Sequence, residues 1–121
     1  MLRNDDGESG DDAMFLRRTG IHEGVTLFRN TPGAVLLDVR DAEEYIQGHI
    51  PGAVNLPLEN LDRLAAPKEK PVFVYCLRGM RSRRAVRMLK RQGYTDVRSI
   101  GGIMQYNGPV ESGNGNRKDQ K

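Results

Sequence analysis

The chain has 121 residues, 19 Lys and Arg against 16 Asp and Glu, two His, no Trp and a single Cys. That length suits one domain, and a lone cysteine excludes an internal disulfide framework, a Cys-rich zinc site and an internal Cys–Cys redox pair. The net charge of +3 is unevenly spread: 1–12 carry five acids against Arg3, whereas 77–98 carry eight bases against Asp96.

Hydrophobic residues make up 37% of the chain, which predicts a compact core with polar ends rather than a core running throughout. The acidic segment 1–20 and the Gly-, Asn- and Lys-rich segment 107–121 are read as disordered, leaving 21–106 as the folded domain. No apolar run approaches the ~18 residues of a membrane span, and the first twelve residues lack the apolar stretch of a signal peptide. A soluble, cytoplasmic protein is the expectation.

Ile21, Val25 and Phe28 fall at i, i+4 and i+7, which predicts a short amphipathic helix that Thr31-Pro32-Gly33 ends. Ala34–Val39 is a nearly continuous apolar run, as a strand of a parallel sheet buried on both faces requires. Asp41 with Glu44 three residues on forms a capping-box pattern for a helix through Tyr45–Gln47, stopped at Gly48. Ala53–Leu56 reads as a second short strand and Glu59–Leu64 as a turn or two of helix. Val72–Tyr75 is a third buried strand that runs straight into Cys76. Ser82 is read as the cap of the longest helix, Arg83–Gln92, with Ala85, Val86, Met88 and Leu89 on its apolar face. Val97–Ile100, closed by Gly101-Gly102, is the last strand. Strand–helix alternation at these lengths predicts a three-layer α/β domain around a mostly parallel sheet.

The stretch that carries chemistry is Cys76-Leu77-Arg78-Gly79-Met80-Arg81-Ser82. Open α/β sheets place their sites at the carboxyl ends of strands, where this cysteine falls. The loop then feeds a helix N-terminus, whose free N–H groups and positive dipole end favour an anion. Gly79 allows a positive φ that curls the loop amides inward, and Arg78 and Arg81 add charge. A free thiol has a pKa of about 8.5, and such surroundings commonly lower it, so Cys76 is the candidate nucleophile. The spacing Cys76 to Arg81 is Cys-x4-Arg. Cysteine phosphatases use Cys-x5-Arg, a loop sized for a tetrahedral phosphate. The shorter loop suits one terminal sulfur atom and favours sulfur transfer over phosphoryl transfer.

Asp38-Val39-Arg40, Glu43-Glu44-Tyr45 and Gly48-His49-Ile50-Pro51-Gly52-Ala53 resemble the first signature of the rhodanese family. The Cys76–Ser82 stretch is similar to its active-site loop, and Gly101-Gly102 with Tyr106 resembles its closing motif, in which many members have Trp. The resemblance runs from about Ile21 to Tyr106. It implies a rhodanese-like domain with a central, mostly parallel five-stranded sheet flanked by helices. It also implies a thiosulfate sulfurtransferase that passes the sulfane sulfur through a Cys76 persulfide to cyanide or a thiol. The alternative is a persulfide-carrying or protein-binding module with little thiosulfate turnover. In this scheme the amides of Leu77 to Ser82 hold the terminal sulfur, and Arg81 with Arg78 orients the anionic donor.

Asp38, Arg40 and His49 are read as scaffold or supporting residues near Cys76, since attack by a thiolate needs no base. No cofactor or metal is expected, because two distant His and one Cys make a poor ligand set. Arg83, Arg84, Arg87, Lys90 and Arg91 decorate the helix after the loop and can steer anions or engage an acidic protein partner. Nucleic acid and membranes are not expected partners, since the basic stretch lacks interleaved aromatics, and a monomer is the expected state.

Overall fold

A computed structural model describes residues 19–114. Its elements, in chain order, are α1 (Ile21–Arg29), β1 (Val35–Asp38), α2 (Ala42–Gln47), β2 (Val54–Asn55), a 3-10 helix (Leu58–Arg63), β3 (Val72–Cys76), α3 (Met80–Arg91), β4 (Val97–Gly102) and a short 3-10 turn (Ile103–Gln105). Every strand pair is parallel, in the order β2-β1-β3-β4.

The expected five-stranded sheet is corrected to four strands among the described residues. Apart from these four runs, each remaining described segment is committed to a helix, a turn or a connection. An isolated antiparallel bridge joins His49 to Glu111, but it stands outside the sheet. Much of the segment the sequence places in an N-terminal tail lies outside the described residues. On the other side of the domain, 107–114 return to its body. Glu111 and His49 exchange two backbone hydrogen bonds of 2.8 Å, and the Gly113 amide donates to the Ile46 carbonyl.

The two central strands explain why the sequence reads as apolar on successive residues. Leu37, Val39, Val72, Val74 and Cys76 face one side of the sheet, where they pack with Leu61, Ala85, Leu89, Tyr94 and Val97 beneath α3. Leu36, Phe73 and Tyr75 face the other, with Ile21, Val25, Tyr45, Ile50 and Ile100 beneath α1 and α2. Two apolar layers on one parallel sheet leave no polar face, which is why alternation is absent. Gly24 lets α1 sit directly on Ile100, since any Cβ there would overlap that side chain. The pairing of β3 with β4 carries one irregularity: Val74 lies opposite Ser99, but Tyr75 lies opposite Gly101 and Cys76 opposite Gly102. Ile100 is the extra residue of this bulge. Among the described residues, no helix is long and apolar enough to cross a membrane.

Candidate active-site loop

β3 delivers Cys76 to the carboxyl edge of the sheet, on the α3 side, with its side chain 1% exposed. The chain then turns within three residues. Gly79 takes φ 113°, a left-handed conformation that side chains disfavour, and is itself the residue before the helix. α3 therefore begins at Met80, three residues earlier than the Ser82 cap predicts. The reason is local: Ser82 sits one turn inside the helix, where its hydroxyl donates back to the Gly79 carbonyl at 3.0 Å and lies 2.7 Å from the Ser99 hydroxyl. A serine that looks like a cap from the sequence instead ties α3 to β4.

The early start points the helix N-terminus at the sulfur. Cys76 Sγ accepts the Gly79 amide at 3.0 Å and the Ser82 amide at 3.3 Å. Both are orphan donors of the first turn, and both stabilise negative charge on sulfur. Gly102, opposite Cys76, seats the loop from the other side. A Cβ there would collide with the backbone of Leu77 and Arg78, while the Met104 amide donates to the Leu77 carbonyl at 3.1 Å.

The two loop arginines differ. Arg78 is exposed at the mouth. Arg81 is half-buried and gripped by Glu44 of α2, Nη1 to Oε1 at 2.9 Å and Nη2 to Oε2 at 3.2 Å. Glu44 Oε1 also accepts the Asp41 amide at 3.0 Å, so one carboxylate caps α2 and holds Arg81. The hydrogen bond from Arg81 holds the Glu44 carboxyl below its ordinary range. The same bond, against some cost of burial, lifts the Arg81 guanidinium above its own. This second task of Glu44 escapes sequence reading: the capping pattern was visible, but nothing in it names a partner 37 positions away.

The remaining predicted residues lie behind the loop. Asp38 and Arg40 are buried and form a forked pair, with Arg40 Nη2 at 2.7 Å from Asp38 Oδ2 and at 2.7 Å from the Gly48 carbonyl. Burial alone would lower the Arg40 guanidinium, but the Asp38 hydrogen bond and charge carry it above its usual value. The Tyr75 hydroxyl accepts the Ile50 amide at 3.0 Å, and burial, with the Asp38 charge nearby, pushes its ionisation well above the ordinary range. These contacts tie the β1 end, the α2–β2 connection and β3 into one unit. His49 is 1% exposed, stacks on Tyr45 at 3.7 Å, and its ring Nδ1 lies 2.8 Å from the Tyr45 carbonyl. Its ring contacts are with Tyr45 and Glu111, whereas the sulfur's hydrogen-bond partners are Gly79 and Ser82. His22, which has no partner legible in sequence, stacks on Tyr106 and accepts the Asn107 amide.

Comparison with known proteins places this geometry. A family model described as Rhodanese-like domain matches residues 22–108. The uncharacterized protein YqhL of Bacillus subtilis is 37% identical over 82 residues, 65% of this chain and 65% of that protein. The thiosulfate sulfurtransferase PspE of Escherichia coli is 38% identical over 81 residues, 64% of this chain and 78% of that one. A solved structure of a rhodanese with anions from E. coli superposes with a TM-score of 0.62 at 36% identity, covering 66% of this chain and 99% of that chain.

Proposed function

The chain belongs to the rhodanese-like domain family, and from that premise we propose that it is a sulfurtransferase working through Cys76. The observation that carries this is the pair of helix-start amides, Gly79 and Ser82, converging on Cys76 Sγ. Amide donors placed there suit a negatively charged sulfur, whether that of the attacking cysteine or the terminal sulfur of a persulfide. In the proposed cycle the Cys76 thiolate attacks the outer sulfur of thiosulfate. The sulfur–sulfur bond breaks, sulfite leaves with its electron pair, and Cys76 holds the sulfane sulfur as a persulfide. Cyanide or a thiolate then attacks that sulfur and leaves as thiocyanate or a new persulfide, restoring the Cys76 thiolate. One transfer becomes two displacements that need no external oxidant.

Arg81 and Arg78 supply the positive mouth for the donor. The exposed bases Arg83, Arg84, Arg87, Lys90 and Arg91 of α3 continue that charge away from the loop. They attract small anions or an acidic protein that delivers or receives sulfur. That an E. coli relative is named for thiosulfate supports thiosulfate as the donor.

The test is sulfite release from thiosulfate with cyanide or a small thiol, together with the intact mass of the protein after donor exposure. Wild type gains the mass of one sulfur atom and loses it on adding acceptor, while Cys76→Ser does neither. Turnover by Cys76→Ser removes the nucleophile assignment. A sulfur adduct that forms only from another protein's persulfide identifies the chain as a carrier instead.

A further inference from the structure

A cleft of about 540 Å³ opens between α2, β2 and the returning segment 111–114, and Cys76 is not among the residues that line it. Its apolar walls include Ile46 and Val54, which are 42% and 55% exposed. Its polar lining is made mostly of hydrogen-bond acceptors, with the Asn114 amide as a donor among them. His49 Nδ1 faces the Tyr45 carbonyl, which can only accept, so the neutral ring carries its proton on Nδ1 and leaves Nε2 as a bare acceptor. That Nε2 is buried and has no hydrogen-bond partner among the described residues. The Glu111 carboxylate, also lining the cleft, has Oε1 3.7 Å from it, too far for a hydrogen bond. Asn55 spends its amide N–H groups on the carbonyls of Asp38 and Arg40, which leaves Oδ1 as an acceptor. The Tyr45 hydroxyl is likewise spent on the Ala53 carbonyl.

The cleft therefore offers acceptors and a negative charge beside apolar walls, and the side-chain donors of Asn55 and Tyr45 within it are already used. Two acceptors 3.7 Å apart are satisfied together by one N–H-rich group set beside the pair, at about 2.8 Å from each, once the exposed Glu111 side chain moves to open the buried Nε2 to the cleft. We propose that this cleft binds a primary ammonium or guanidinium group carried on a short apolar stem, its nitrogen bridging His49 Nε2 and Glu111 and its stem against Ile46 and Val54. The head group could arrive on a free small molecule or on a Lys or Arg side chain of a partner protein; the chemistry is the same. Nothing in it requires Cys76 or the reading of that residue given above.

The test is a titration of the 15N-labelled full chain with n-butylammonium chloride, followed by amide NMR and by long-range proton–nitrogen spectra of His49. Saturable shifts at Ile46, Val54 and Glu111, with movement of the His49 Nε2 resonance, are expected. Butanol and sodium butyrate are expected to leave them unmoved. Glu111→Gln, at an exposed side chain, and Ile46→Ser are each expected to weaken binding about tenfold, while Cys76→Ser leaves it unchanged. A Lys-containing peptide that binds more tightly than the free amine, with shifts spreading along β2, identifies a protein source. Equal affinity identifies a small molecule. Three results overturn the proposal: no saturable shift at tens of millimolar, an equal response to butanol or butyrate, or a His49 ring already carrying both protons at neutral pH. In the last case the ring itself is the donor to Glu111.

Discussion

At the scale of single residues, Glu44 shows how one carboxylate can serve two neighbours. It closes the N-terminus of α2 and fixes the guanidinium that the proposed donor must meet. Its lowered pKa has a defined sign: the ionised form is favoured by folding, so the contribution is present above the ordinary carboxylate range. It is lost as pH falls through the depressed value. With both side chains about one third exposed, solvent screens the pair and the effect on stability is small. The effect on geometry is larger, because protonation frees Arg81 from α2. A carbon-detected NMR titration is expected to place Glu44 below the other exposed glutamates, and Arg81→Ala to return it toward them. An unmoved titration in Arg81→Ala would show that the cap, not the arginine, sets the shift. Asp38 and Arg40 follow the opposite logic. They are too buried to be screened, and each would be a stranded charge without the other.

At the scale of elements, the proposed working part is the junction of β3, its three-residue turn and α3. The sequence made the strand, the glycine and the helix legible, because burial on both faces, positive φ and amphipathic spacing each leave a composition signal. It did not reveal where α3 begins. Ser82 has the chemistry of a cap, and only the Ser99 hydroxyl, brought alongside by β4, shows that it acts one turn inside. The glycine pair at the end of β4 does read as a close backbone approach to the Cys76 loop, and Gly102 bears this out by having no room for a side chain. That requirement is set by the passing backbone of Leu77 and Arg78, a contact across the sheet. Because backbone cannot step aside as a flexible side chain can, Gly102→Ala is expected to move the sulfur out of line with its two amides. Sulfur loading from thiosulfate should slow at least tenfold, by intact mass against time, with the domain still folded by circular dichroism. Loading at the wild-type rate would mean that the loop tolerates displacement.

At the scale of the whole molecule, the parallel order and the layering followed from apolar runs that do not alternate. A fifth strand did not, because a family resemblance carries a strand count that this chain's described residues do not supply. The segment 107–114 was misleading for a simple reason. Its Gly, Asn and Pro content signals a tail, yet it is held by backbone hydrogen bonds that any sequence can make. Ending the chain at Asn107 removes the His49–Glu111 pair and the Gly113 contact. At about 0.5–1.5 kcal/mol each, that is expected to lower stability by a few kcal/mol in urea unfolding while leaving Cys76 loading intact. Loss of loading in the shortened chain would join the two ends of the domain functionally.

The bulge at Ile100 sets limits on how this chain can change in length. It is the one residue of slack that sets Gly102, rather than Gly101, opposite Cys76. Inserting or deleting a residue on either side of it within β4 would slide the strand by one position and turn the wrong faces toward both apolar layers. The connections at 64–71 and 92–96 lie outside these paired segments, and loops tolerate added length at little cost. Insertions engineered into this domain should therefore be accepted in those connections and rejected within the six residues of β4.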